Sequence, residues 1–163
     1  MRELAGSARK NRHYDVYLVG GGTAVLRGWR ESSIDADLYS AQDDIFRDVQ
    51  AIKERLRLNI ELVRPEDFVP PLEGTGDRHV FIESVGRVSY YHYDPYSQLL
   101  SKVVRGFDRD MADALAFVTS GMVDVERFRG LVWAIPDSDW SKYPRYSPGG
   151  VRKAIDDFLA SLP

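Results

Sequence analysis

The chain has 163 residues, 44% of them hydrophobic and 29% charged, and a formal net charge of -3. This length suits one domain with a genuine core, and the composition is that of an ordinary soluble globular protein. With no cysteine, disulfides, thiolate chemistry and zinc–cysteine clusters are excluded; the total charge does not advertise a nucleic-acid binder, although a local basic patch is a separate quantity. The opening MRELAGSARKNRHY carries basic residues with no apolar run behind them, so no signal peptide is expected, and no stretch approaches a membrane span. The expectation is a cytoplasmic protein without membrane contact.

In chain order, residues 1–13 are polar and read as a short helix or an arm. Residues 14–19 are aromatic and β-branched and read as a first strand, stopped by Gly20, Gly21 and Gly22. A short helix from Gly21 to about Arg27, a turn from Gly28 to Ser33 and a second strand from Ile34 to Tyr39 follow. Ile45, Phe46, Val49, Ile52 and Leu56 recur at helical spacing and predict one helix over 42–57. Residues 59–63 read as a short strand, stopped at Pro65. Residues 65–78 hold three prolines and two glycines and read as a long loop.

Residues 79–85 and 87–93 predict a hairpin about Gly86. Asp94-Pro95 has the form of a helix start, with Leu99, Leu100, Val103 and Val104 on the apolar side. Gly106 interrupts this helix. Asp108 can cap the next one, which runs to Gly121. Asp124 is placed to cap a further helix ending before Pro136. Residues 136–150 read as a loop, and Ser147-Pro148 as the start of a last helix with Ile155 and Phe158. The layout predicts an α/β (α+β) fold in one domain. A small mixed sheet with flanking helices occupies about 14–94, and a helical C-terminal part about 95–163.

The chemistry starts at Asp35 and Asp37, one residue apart between Ile34, Ala36 and Leu38. On a strand both carboxylates share one face. Two like charges there call for something positive between them, and hard oxygen ligands suit magnesium or manganese. Glu83, an acid in the β-prone run Val80 to Ser84, is the candidate for a third metal ligand, with Asp77 the fallback. Such a set can hold two metal ions, one activating a hydroxyl and the other gripping nucleotide phosphates. The glycine turn lets backbone N–H groups approach a phosphate closely, although glycines at a strand end are also an ordinary turn. No Gly-Lys-Ser/Thr follows, and the dinucleotide spacing is absent.

Lys102, Arg105 and Arg109, interleaved with Asp110 and Asp113, supply positive charge near the helices after Pro95. They read either as a solvated helix face with ion pairs or as a triphosphate grip. Arg27 and Arg30 carry the same two readings. His13, His79 and His92 read as structural or surface residues. The tyrosines around His92 suit base stacking or hairpin packing. Trp133, Trp140, Tyr143 and Tyr146 suit a cover for the last helix or a ligand cleft.

The stretch from Gly21-Gly22 to Asp35-Ala36-Asp37 resembles the first motif of the nucleotidyltransferase (polymerase-beta-like) superfamily. In that motif a glycine pair precedes Asp-x-Asp between apolar residues. Glu83 is the match to the third family carboxylate. The stretch KVVRGFDRDMAD, with Lys102, Arg109-Asp110 and Asp113, looks like the back half of AbiEii-type and related uncharacterised nucleotidyltransferases. The resemblance covers roughly residues 15 to 132. It implies transfer of a nucleoside monophosphate from an NTP to a hydroxyl of RNA (tRNA among the acceptors), a protein or a small molecule, with magnesium or manganese. It assigns the metal to Asp35, Asp37 and Glu83 and the NTP phosphates to Gly21, Gly22, Thr23 and Lys102, to which the charge pattern adds Arg27 and Arg105 as expected phosphate contacts. Lys102 also steadies the acidic network. Several relatives are toxins of toxin–antitoxin pairs, which makes a cognate antitoxin a further expected partner. A catalytically inactive protein of the same fold, binding nucleotide, RNA or a partner protein, stays open beside the enzyme reading.

Overall fold

The computed structural model describes residues 1–33 and 35–163; Ile34, expected to open the second strand, lies outside the described residues. The chain forms two compact units, residues 1–64 with 79–93 and residues 65–78 with 94–163. The architecture is mixed α/β, as its sequence pattern predicts, with the sheet in the first unit and the long helices in the second. Among the described residues no helix is long and apolar enough to cross a membrane.

The first unit is built on five strands: β1 (Tyr14–Val19), β2 (Asp35–Tyr39), β3 (Asn59–Leu62), β4 (Val80–Val85) and β5 (Val88–His92). Their order across the sheet is β3-β2-β1-β5-β4. β1 runs antiparallel to β2 and parallel to β5, β2 is parallel to β3, and β4 and β5 form the expected hairpin. Strand alternation divides the residues between two faces. Tyr14, Val16 and Leu18 point to one face and join Val88, Tyr90 and Ile60 in a core with Leu4, Ile45, Phe46 and Ile52. Helices α1 (Arg2–Ala5) and α3 (Val49–Leu56) contribute Leu4 and Ile52 to this core. The opposite face carries Tyr17, with the rings of Tyr39 and Tyr91 5.8 and 5.5 Å from its own.

The single helix expected over 42–57 is two pieces. Asp43–Phe46 is a 3-10 turn, and α3 begins at Val49. The two acids near the break have tertiary partners. Asp44 accepts from the Tyr14 hydroxyl at 2.9 Å and pairs with Arg9 and Arg12, while Asp48 accepts from the Ser7 hydroxyl at 2.7 Å. These anchors hold the turn to β1 and to the segment after α1, and they override a locally helical pattern. α3 ends at Arg57, whose φ of 50° is left-handed.

The second unit holds α4 (Pro95–Arg105), α5 (Asp108–Thr119), α6 (Val125–Trp133) and α7 (Pro148–Ala160). α4 packs on α5 and α7, and α6 on α7. Leu99, Leu100, Phe117, Phe128 and Ile155 are fully buried between them, and each such side chain contributes about 1.5–3 kcal/mol of apolar burial. Asp94 caps α4 by accepting from Tyr96 N–H at 3.1 Å, and it also takes both Nε and a terminal nitrogen of Arg78, at 3.0 and 2.8 Å. Asp124 and Ser147 cap α6 and α7 as their positions predict. The cap of α5 is Phe107, with Asp108 its first helical residue. The expected loop 65–78 contains two short 3-10 turns, Pro65–Asp67 and Thr75–Asp77, and the expected loop 136–150 contains a third, Asp137–Lys142.

Candidate functional site

β2 places Asp35 and Asp37 two residues apart, on the face of the sheet that also carries Tyr39 and Tyr17. Its parallel neighbour β3 aligns Asn59 with Asp35 and Glu61 with Asp37. Aligned residues of adjacent strands project to the same side. Three carboxylates therefore stand at neighbouring positions on one face. The Asn59 amide nitrogen donates to Asp35 Oδ1 at 2.5 Å and to Glu61 Oε1 at 3.2 Å. An amide NH2 has two hydrogens, so it can donate to two acceptors at once. Glu61 is exposed. Sequence reasoning passed over it, although Ile60-Glu61-Leu62 shows the same apolar–acid–apolar alternation as β2.

The glycine turn leans on these acids. Gly20 has a φ of +87°, and a Cβ there would lie 2.6 Å from Asp37 Oδ2. Only glycine meets both conditions. A Cβ on Gly21 would lie 2.6 Å from Ser33 Oγ and 3.5 Å from a terminal nitrogen of Arg30. Ser33 in turn donates to the Asp35 carbonyl at 2.8 Å. Helix α2 (Gly21–Leu26) starts here, and the first-turn N–H groups of Gly21 and Gly22 have no intrahelical acceptor. Arg30, rather than Arg27, lies beside the turn. Arg27 is exposed at the far end of α2.

Thr23 is fully buried, and its hydroxyl meets His92 Nδ1 at 3.1 Å. Its side chain therefore supports α2 from below. Burial first, then the Arg27 charge, lowers the pKa of His92 to about 4, which keeps the ring neutral near pH 7. Glu83 takes a different place from the one expected. A shift of register between Phe81 and Glu83 pairs Glu83 with Tyr90. Tyr90 stands on the core face, where burial and then the Glu83 charge raise its hydroxyl pKa. The bulge thus sets Glu83 opposite Tyr90 and outside the aligned row of Asp37 and Glu61, although it lines one cavity with Asp35.

The remaining expected residues lie in the second unit. Lys102 is buried between Asp113, at 2.6 Å, and Asp110, at 3.4 Å; Asp110 also takes Arg105 at 2.6 Å. Asp77 ends the 3-10 turn that begins at Thr75.

A family model described as a nucleotidyltransferase of unknown function (DUF6036) matches residues 1–144. The chain belongs to this family. No match was found among curated proteins or among solved structures. For a nucleotidyltransferase the Asp35, Asp37 and Glu61 oxygens are the right donors for magnesium or manganese, since both metals take hard oxygen ligands. Among the described residues no three His, Cys, Asp or Glu side chains converge closely enough to hold a metal ion. The oxygen chemistry of the three acids suits such an ion, while the Asn59 amide bridges Asp35 and Glu61.

Proposed function

We propose that the chain transfers a nucleoside monophosphate from an NTP to an acceptor hydroxyl at the face bearing Asp35, Asp37 and Glu61. The observation that carries this reading is the alignment of those three acids on β2 and β3, beside Gly20, whose φ of +87° favours glycine and whose Cα lies close against the Asp37 carboxylate. Asp35, Asp37 and Glu61 would hold magnesium or manganese, which when bound supplies positive charge to a triphosphate and lowers the pKa of a hydroxyl. Glu61 replaces Glu83 in this role. The N–H groups of Gly21 and Gly22, with Arg30, bind and orient phosphate oxygens. The acceptor oxygen forms a bond to the α-phosphorus, the bond to pyrophosphate breaks, and the hydroxyl proton passes to a carboxylate of this face. Thr23 and His92 keep α2 in place without touching substrate. Lys102, neutralised by Asp110 and Asp113, holds the second unit together.

The test is label transfer from α-labelled NTPs to total RNA, tRNA included, in the presence of magnesium or manganese. The parent is expected to label RNA, and Asp37→Ala to lower the rate by roughly a thousandfold, the scale of several kcal/mol of charge stabilisation. Equal labelling by the two proteins overturns the site. The Asn59 bridge favours a second reading, a nucleotidyltransferase fold that binds nucleotide without turnover. Calorimetric binding of ATP that needs no metal, with no transfer to any acceptor, selects that reading.

A further inference from the structure

The second unit contains a groove of ≈ 610 Å³ whose lining includes Phe68, Arg105, Phe107, Lys142, Arg145 and Tyr146. That volume falls within the roughly 300–1,000 Å³ usual for ligand clefts. One wall is a built turn. Tyr146 N–H donates to the Tyr143 carbonyl at 2.9 Å, with Pro144 second and Arg145 third in the turn. Trp140, itself buried, holds the Tyr143 and Tyr146 rings at 6.1 and 6.4 Å. The Tyr143 hydroxyl donates to the Glu66 carbonyl at 2.5 Å, which fixes the turn to the segment carrying Phe68.

On this frame two kinds of side chain are left to solvent. Lys142 and Arg145 are exposed and have no ion pair or hydrogen bond with another described residue. Phe107 is 68% exposed and Phe68 36%. Asp67 is the acid in the lining, and Arg105 is paired with Asp110, which leaves Lys142 and Arg145 as the cations able to take a ligand charge. Cations beside uncovered rings are what single-stranded nucleic acid needs, since phosphates take the charges and a base stacks on a ring. An acidic peptide would use the cations and leave the rings wet.

We propose that this groove binds a short segment of single-stranded nucleic acid, with phosphates on Lys142 and Arg145 and a base against Phe107. The proposal rests on the second unit's own residues and does not depend on transfer chemistry at β2 and β3. Its test therefore uses no NTP and no metal. Fluorescence anisotropy of the full chain with a labelled oligoadenylate, as RNA and as DNA, is expected to show saturable binding. The double variant Lys142→Gln/Arg145→Gln is expected to lower the slope of log affinity against log salt by about 1.4, for two lost phosphate contacts at about 0.7 each. Phe107→Ala is expected to weaken binding by at least about fivefold with the slope unchanged. Three outcomes overturn the proposal: no saturation up to about 100 μM, the weak end of non-specific binding; Phe107→Ala binding as the parent does; or displacement of the oligonucleotide by polyglutamate of equal charge as readily as by unlabelled oligoadenylate. The last outcome identifies an acidic-peptide groove instead.

Discussion

Two clusters of acids in this molecule are built in opposite ways. In the second unit Asp110 and Asp113 are buried, and Lys102 and Arg105 meet them with equal and opposite charge. In the first unit the neutral amide of Asn59 lies between Asp35 and Glu61, and Asp37 rests against the Gly20 backbone. A buried carboxylate stays charged only where cations or hydrogen bonds offset its desolvation. Carboxylates open to water can stay under-neutralised, since solvent and salt screen them. The first arrangement serves the fold. The second sets Asp35 and Asp37 half-buried and Glu61 exposed, on a face that solvent reaches.

The largest effect that separates the two clusters is expected at Lys102. Lys102→Met takes the ammonium away from buried Asp113 and Asp110, at a cost of about 3–5 kcal/mol. For a chain of this size that lowers Tm by roughly 6–20 °C in a thermal melt. Adding Asp113→Leu is expected to recover part of the loss, because the buried carboxylate that faced Lys102 goes with it. Nucleotidyl transfer per folded molecule is expected to stay at the parent level at a temperature where the variant is folded. A normal melt with lost transfer would move Lys102 out of the structural cluster and into the reacting site.

Both clusters were partly legible in the sequence, for reasons that differ. Asp35 and Asp37 stand out because a strand repeats every two residues, so alternation alone reveals a shared face. The β4–β5 hairpin and the caps at Asp94, Asp124 and Ser147 follow from equally local rules, and they are found where those rules put them. Pairing between strands is not local. Nothing in residues 80–85 announces the bulge that sends Glu83 toward Tyr90, and nothing in Asn59–Leu62 says that it lies beside β2. The split of the predicted 42–57 helix has the same origin, since its cause lies in Ser7, Arg9, Arg12 and Tyr14. Lys102 looked equally suited to a phosphate and to a carboxylate until its two aspartates were located.

The support beneath the glycine turn gives a smaller effect, with a sign fixed by burial. The folded pKa of His92 is about 4, below the roughly 6.5 of an unfolded histidine. Between those values the unfolded chain binds a proton that the folded chain does not. The stability this supplies is complete above about pH 6.5 and is lost as pH falls toward 4, up to about 3 kcal/mol. Urea midpoints across that range are expected to fall more steeply for the parent than for His92→Gln, which does not titrate. Parallel profiles would mean that His92 is accessible to protons in the folded state, and that α2 does not stand on a dry support.

The finest division lies between two glutamates. Glu61 shares a face with Asp37, while Glu83 faces Tyr90 across the bulge. Glu61→Gln keeps the size and polarity of the side chain and removes the charge. It is expected to lower transfer by about 10–100-fold, the range found when a group that tunes a metal site is lost. Magnesium or manganese is expected to raise the Tm of the parent, and Glu61→Gln to reduce that rise. Glu83→Gln is expected to leave both quantities unchanged, since Glu83 pairs with Tyr90 and stands outside the aligned row of Asp37 and Glu61. The reverse pattern, a silent Glu61→Gln and an inactive Glu83→Gln, would require β4 to pair with β5 without the bulge. That would return the third carboxylate to the strand where the sequence alone placed it.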